Sequence, residues 1–576
     1  MLNHWSKLLL PCALLCLLFG CTAPIAEAEL PGPTHTPTPT VTPTATPTET
    51  PTPTPTPTAI PTIVIPMLTP TITPTVEPTL PVLWDIPERV IPEPFGIEIH
   101  FTQAGQQELD YITRSGVGWV RMDMFWHIVE TELGKYNFAE YDTLVRTMTQ
   151  RGIRIIFILD YGNSLYDLGY APVSPGGQAS FARFAAVAAN RYRDKGIIWE
   201  IWNEPNLDHF WTPKANASDY GQLALRTAAA IRRVDPSAII VAPALCGFDW
   251  NYWHTLGQMG LFKQINAVTF HGYGVTEPEK LLEPYMLLRT LVNRYQPAWQ
   301  LPILSGEWGF STTRGGMSEG QQAQYLARQW LFNLSHDINL SIWYDWHDDG
   351  PDPYDPENNY GIVHNDYTAK PAYRAASTLL STLDGYRFLR RVPLELSSDY
   401  LLLFENGKRL GMALWTTGGA HTVVLPVAVD EVEIVEMTGE TNVLDSDGNG
   451  LAIQISQSPR YLLFRENQIT AELGGWRPYD TINLLNASLG EGVRLVFENH
   501  LETPRYGNFE IRAQGTVRGT LDVMLEPETE QQFRIPIDLT GLQGTVVAEV
   551  RFIPENNAML PLQSAEIWLQ IIQTGE

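Results

Sequence analysis

Two short stretches place a carboxylate where an apolar run stops. IIWEIWNEPN (197–206) ends its apolar face in Asn203 and Glu204, and LPILSGEWG (301–309) ends in Glu307. A buried strand has no structural need for a carboxylate at its exit, because desolvating a charge is costly unless it is paired. Two carboxyl groups facing one another across a pocket have a definite use. One, held protonated, releases a leaving group, and the other, held ionised, attacks or activates water, as cleavage of a glycosidic bond requires.

Elements that bring such groups together are readable in the flanking sequence. Strand patterns run at 95–101, 118–124, 153–159, 197–203, 238–244, 265–271, 301–307 and 340–346, with amphipathic helical stretches between them and after the last. Eight apolar strands alternating with helices predict a (β/α)8 TIM barrel over residues 84–385, whose chemistry sits at the C-terminal strand ends. An open doubly wound sheet is the competing arrangement, but no Gly-rich phosphate loop follows any strand. Glu204 then ends the fourth strand and Glu307 the seventh.

At this point the sequence resembles glycoside hydrolase clan A, and within it family 39-like retaining glycosidases of the bacterial exopolysaccharide type. The resemblance rests on GVGWVRMDMFWHIVE with GKYNFAEYD, on WEIWNEPN followed by FWTP and DYGQLALRTAAAIRRVDPSAIIVAP, and on YDWHDDG, ENNYGIVHND and KPAYRA, spanning about 95–385. It implies Glu204 as acid/base, Glu307 as nucleophile and Asn203 as a contact to the sugar 2-hydroxyl. It implies that Arg121 holds the nucleophile ionised, with a salt bridge to Glu200 as the competing role. His271 and Tyr273 would orient the nucleophile or the sugar. Trp343 and Trp346 would form the subsite floor, although strict strand alternation puts residues three apart on opposite faces. His100 and Trp126 are expected to line the glycone site, and Asp160 and Tyr161 lie within possible reach of sugar hydroxyls. No cofactor or metal is implied. The implied partner is a polysaccharide or oligosaccharide. A non-catalytic polysaccharide-binding protein on the same scaffold, or a transglycosylase using the same residues, are the alternatives.

The rest of the chain sets the context. Residues 1–21 carry Lys7, the apolar run LLLPCALLCLLF and LFGC, which matches a lipoprotein signal with Cys21 as the lipidated residue. Residues 22–83 form a Pro/Thr-rich linker that cannot bury a core and reads as an extended spacer. This arrangement predicts a bacterial surface protein held to the membrane through an N-terminal lipid only. Beyond the linker, 37 bases face 60 acids, a net of −23 within the −26 of the whole chain. Such a surface repels phosphate backbones, so nucleic acid is excluded as a partner. Past Cys21 the one cysteine is Cys246, in an apolar run that predicts an inert core thiol. After residue 385 the pattern turns to short alternating strands: a small β-sandwich at 386–465 and a second β-rich accessory module at 466–576. DSDGNG (445–450) begins like a calcium loop, but its twelfth position is Ser456 rather than Glu, so a hairpin turn is expected.

Overall fold

The computed structural model describes Pro87, residues 89–465 apart from a few loop positions, and the strands between 480 and 571. The leader, Cys21 and the Pro/Thr linker lie outside the described residues. Eight parallel strands close into a barrel in sequential order: β1 (Phe95–Glu98), β2 (Trp119–Phe125), β3 (Arg154–Asp160), β4 (Ile198–Ile201), β5 (Ile239–Cys246), β6 (Ala267–His271), β7 (Ile303–Trp308) and β8 (Ile338–Trp343). Each is followed by a helix: α1 (Gln106–Ser115), α2 (Ala139–Thr149), α3 (Pro175–Arg191), α4 (Ala217–Val234), α5 (Trp250–Gln258), α6 (Leu282–Tyr295), α7 (Glu319–Ser335) and α8 (Pro371–Thr382). Side chains of Ser174, Asn216, Asp249 and Ser318 accept from backbone N–H groups in the first turns of α3, α4, α5 and α7, which fixes where those helices begin.

Strand alternation divides the barrel wall. Trp119, Ile156, Ile198, Val241, Ala267, Leu304, Leu340 and Ile342 pack together as an apolar floor inside the barrel, one layer of the filling such barrels need. Gly96 on β1 belongs to this floor. A Cβ there would stand 2.5 Å from the Ile342 side chain and 2.7 Å from that of Trp119. The residues two positions further along each strand point the same way and rise towards the mouth. The opposite faces pack against the helices in the main core, which holds Phe157, Trp199, Phe270 and Trp343.

Beyond the barrel, β9 (Arg387–Val392), β10 (Asp399–Asn406), β11 (Arg409–Thr416), β12 (His421–Leu425), β13 (Glu431–Glu436), β14 (Thr441–Asp445), β15 (Leu451–Ile455) and β16 (Arg460–Leu463) form one six-stranded sheet and the β12–β15 pair around their own core. Of DSDGNG, residues 446–449 lie outside the described residues, and the strands on either side of it pair with others, β14 with β13 and β15 with β12. Seven further strands between Asp480 and Ile571 form a three- and a four-stranded sheet over a third core. The first sandwich meets the barrel through an aromatic contact and a hydrogen bond. Tyr400 meets Phe332 of α7 edge-on at 6.2 Å, and Trp415, stacked on Tyr400 at 4.6 Å, donates through Nε1 to Glu279 Oε1 at 2.8 Å. Glu279 also takes both donors of buried Arg328 on α7, at 2.8 and 2.6 Å.

Glu279→Ala would leave the Arg328 guanidinium buried with only Glu277 at 3.5 Å. The variant should lose about 3–5 kcal/mol of stability, because an uncompensated buried charge costs more than the pair contributes. Urea unfolding followed by near-ultraviolet circular dichroism measures it, and a loss under about 1 kcal/mol contradicts the assignment.

Candidate active site

Arg121, inward on β2, lies at the centre of the mouth and is fully buried. Its Nη1 reaches Glu98 Oε1 and Oε2 at 2.8 and 2.7 Å and Glu307 Oε2 at 2.8 Å. Nη2 reaches Glu200 Oε1 at 2.6 Å and Asn203 Oδ1 at 2.8 Å, and Nε reaches Glu200 Oε1 at 3.2 Å. The two roles weighed for Arg121 are therefore both present: it pairs with Glu307 and with Glu200. Burial raises the pKa of Glu98 and Glu200 against the opposing pull of Arg121. Three buried carboxylates on one cation favour at least one proton among them.

Backbone irregularities aim the two glutamates. On β7, Leu304 and Gly306 face inward, and a Cβ on Gly306 would come 3.2 Å from Glu200 Oε2. The β7–β8 register shifts between Ser305 and Trp308, and such a bulge re-aims side chains. Glu307 turns into the pocket there, where Tyr273 Oη donates to its Oε1 at 2.8 Å. After β4, Trp202 (φ 68°) and Glu204 (φ 46°) adopt left-handed backbone, a strained conformation for such side chains. The turn is held by Trp202 N–H donating to Leu159 O at 3.1 Å and Glu204 N–H to Ala244 O at 3.0 Å.

His271 Nδ1 lies 2.6 Å from Glu204 Oε1 and 3.6 Å from Glu307 Oε2. Burial, then Arg121, drives its pKa well below the usual imidazole range, so the ring is neutral. Its Nε2 faces Arg121 Nη2 at 3.4 Å, and a guanidinium only donates. Nε2 is then the acceptor, and Nδ1–H donates to Glu204 Oε1. Oxygen atoms of Glu204 and Glu307 and a ring nitrogen of His271 lie within 4.8 Å of one another. A cation bound among them would stand beside Arg121, which already supplies their positive charge. Asn203 donates through Nδ2 to Tyr161 Oη at 3.0 Å, which leaves one amide hydrogen for a ligand.

The tryptophan expectations need correction. Trp343 is fully buried and packs beside Phe310 in the layer between barrel and helices. Trp346 packs near Tyr373 of α8 and donates to Glu108 of α1 at 3.0 Å. Trp126 stacks on Tyr166 at 4.8 Å and donates to Glu130 at 2.6 Å. None of the three lines the pocket. The inward series Leu340, Ile342 continues to Tyr344, which meets the His100 ring edge-on at 5.6 Å and donates to Glu357 Oε2 at 3.1 Å. His100 keeps its place at the mouth, 3.4 Å from Asp345. Burial lowers its pKa, but Asp345 and neighbouring carboxylates outweigh that and raise it. Glu98, Asp123, Tyr344 and Glu357 were missed in the sequence. Counting by twos from Ile97's neighbour Gly96, from Arg121 and from Ile342 finds the first three. Glu357 sits on a loop and gave no signal.

Residues 88–350 match the family model described as Cellulase (glycosyl hydrolase family 5). Curated relatives include a beta-xylosidase from Geobacillus stearothermophilus, 29% identical over 154 residues, 23% of this chain. They also include an exo-alpha-(1->6)-L-arabinofuranosidase from Bifidobacterium longum, 29% identical over 163 residues, 27% of this chain. Either alignment spans 30% of the relative's length. Among solved structures, a family 39 glycoside hydrolase from Bacteroides cellulosilyticus WH2 superposes with a TM-score of 0.57 at 21% identity, covering 67% of this chain and 83% of that one. A family 39 β-xylosidase from Caulobacter crescentus gives 0.50 at 16% identity, covering 65% and 96%. At these identities the structural likeness is one of fold.

Burial lifts the Glu357 carboxyl to about 8 and that of Asp345 to about 7. A folded-state pKa raised above the unfolded value gives stability that is complete below about pH 4 and lost as pH rises through the folded value. Glu357→Gln removes that loss for one group. Its melting temperature relative to wild type should therefore climb from pH 5 to pH 9 in parallel calorimetric scans. A pH-independent difference contradicts the assignment.

Proposed function

The barrel of this chain is a clan A glycoside hydrolase domain, and from that premise we propose that the protein hydrolyses O-glycosidic bonds of an oligosaccharide or polysaccharide with retention of configuration. The observation that carries the reading is the spacing of Glu204 and Glu307, whose oxygen atoms approach within 4.8 Å. Retaining enzymes hold their carboxyl groups about 5–5.5 Å apart, and inverting ones about 6.5–9.5 Å.

Glu307, ion-paired with Arg121, attacks the anomeric carbon. The bond to the leaving oxygen breaks as Glu204 gives that oxygen its proton, and a glycosyl ester forms on Glu307. Water then enters on the same path. Glu204 takes its proton, the oxygen bonds to the anomeric carbon and Glu307 departs as carboxylate. Because His271 Nδ1–H occupies Glu204 Oε1, the transferable proton belongs on Oε2. Asn203, oriented by Arg121 and Tyr161, offers its remaining amide hydrogen to a sugar hydroxyl.

Glu307→Ala should reduce turnover of every substrate by at least about 10⁴-fold, as loss of a covalent nucleophile does. Glu204→Ala should hurt least with an activated aryl leaving group, and azide should partly restore its rate through a β-glycosyl azide. Nuclear magnetic resonance of the first-formed product reports the stereochemistry, and inverted product from active wild type rules the mechanism out. A sugar-binding protein without activity predicts wild type inert on a panel of aryl glycosides and β-linked polysaccharides.

The reading extends to location. LFGC supports lipidation at Cys21, with the Pro/Thr tract as a spacer between the membrane surface and the barrel; among the described residues no helix is long and apolar enough to cross a membrane. Fifty residues of extended polyproline geometry reach on the order of 150 Å. Cys21→Ala should move the protein from the detergent phase to the aqueous phase or leave unprocessed precursor. Unchanged partitioning defeats the proposal.

A further inference from the structure

One carboxyl pair at the mouth takes no part in the double displacement. Asp123 follows Arg121 by two residues on β2 and so shares its inward face. It is partly exposed, whereas Arg121 and Met122 before it and Met124 after it are buried. Asp160 ends β3 on the inward series Ile156, Ile158, Asp160 and is fully buried. Neither Asp160 oxygen receives a donor among the described residues. The group it faces is the carboxyl of Asp123. Two carboxylates in contact are both acceptors, so the arrangement holds together only when a proton lies between them. Burial and Asp123 both raise the pKa of Asp160. The proton therefore sits on Asp160, whose O–H donates to Asp123.

Asp123 is then fixed from behind, on the inward face of β2, with part of its surface exposed. Asn203 and Tyr161 stand on the same side of the mouth, since Asp160 and Tyr161 are adjacent in sequence and Asn203 donates to Tyr161. We infer that Asp123 is a glycone-binding residue, accepting hydroxyl hydrogens of an uncharged sugar, with Asp160 locking its orientation.

The charge inventory supports the word uncharged. Arg121 has no exposed surface and is spent on Glu98, Glu200 and Glu307. His271 is neutral. His100 is turned to Asp345. The carboxyl groups around them are Glu98, Asp123, Asp160, Asp345 and Glu357, of which Asp123 and Glu357 are partly exposed. A sugar carboxylate or sulfate entering there would be desolvated among carboxyl groups, and of the described cations Arg121 and His100 are already paired with carboxylates, whereas a sugar hydroxyl can donate to a carboxyl oxygen.

The inference rests on the glycosidase reading, and its test separates the two. Full mature chains of wild type, Asp123→Asn, Asp160→Ala and Asp160→Asn are compared on the neutral aryl glycoside that wild type cleaves best, on its monodeoxy analogues and on the matching uronide. Asp123→Asn should lower kcat/KM on the parent roughly 10- to 100-fold, the range for a hydrogen bond to a charged group. On the deoxy analogue lacking the bound hydroxyl, wild type should fall to the variant's level, and the variant should lose nothing more. Asp160→Ala should behave as Asp123→Asn does, while Asp160→Asn, which keeps a donor towards Asp123, should recover most of the loss. The uronide should be cleaved at least tenfold more slowly than the parent. A loss that is the same on every deoxy analogue marks a merely structural role and overturns the inference, as does a uronide cleaved as fast as the parent. Should wild type cleave no glycoside, the glycosidase reading falls, and thermal shift with neutral monosaccharides decides this one. A stabilisation present in wild type and absent in Asp123→Asn supports it. An equal shift in both, or none in wild type, overturns it.

Discussion

A single buried guanidinium organises the catalytic end of this molecule. Arg121, on β2, joins side chains from β1, β4, β6 and β7 and the turn after β4, through Glu98, Glu200, His271, Glu307 and Asn203. Parallel strands in a barrel are tied to their neighbours by ladder hydrogen bonds, but nothing in the ladder fixes groups across the lumen. Arg121 does that, because its planar fork presents five N–H donors in set directions. Removing it would leave at least three carboxylates buried together without a counter-charge, the most expensive arrangement available in a protein interior.

Such a network depends on dryness beneath it and on departures from regular backbone around it. The floor of Trp119, Ile156, Ile198, Leu304, Leu340 and Ile342 closes the barrel below the ions, so the attraction between Arg121 and its partners is not screened from that side. Regular strands would send Glu307 outward, since Leu304 and Gly306 already hold the inward positions. The bulge in β7 and the left-handed turn at Trp202 to Glu204 are where the fold trades local strain for placement. Both glutamates owe their position to an irregularity flanked by well-packed regular structure.

This explains what was legible in the sequence and what was not. Eight strands, their order and both glutamates could be read because apolar runs of strand length, each ending in a polar group, are a one-dimensional signal. Glu98 was hidden inside FGIEIHF, where a carboxylate between isoleucines invites an edge-strand explanation. Its partner Arg121 lies 23 residues away, and only closure of the barrel brings them together. The tryptophans failed for a different reason. In LSIWYDW three of the last four residues are aromatic, so residue type gave no phase, and the bulkiest rings drew the assignment. Phase was available from Leu340 and Ile342, which fix Tyr344 as the inward residue and send Trp343 to the helix layer. Trp126 misled similarly, since it follows the end of β2 and the chain turns there into a one-turn helix that tucks the indole against α3.

The two central glutamates are chemically identical, and their difference is imposed by neighbours. Glu307 meets a permanent cation and a phenol hydroxyl, both of which donate to it. Glu204 meets an imidazole that burial first, and Arg121 second, keep neutral. The same guanidinium therefore acts on both carboxyls, directly on one as a counter-ion and indirectly on the other by adding to the burial that denies its histidine a charge. A protonated His271 would place a second cation 2.6 Å from Glu204 and 3.6 Å from Glu307, and the two carboxyls would then sit in similar fields. Keeping the histidine neutral is what allows one arginine to make unlike groups of like residues.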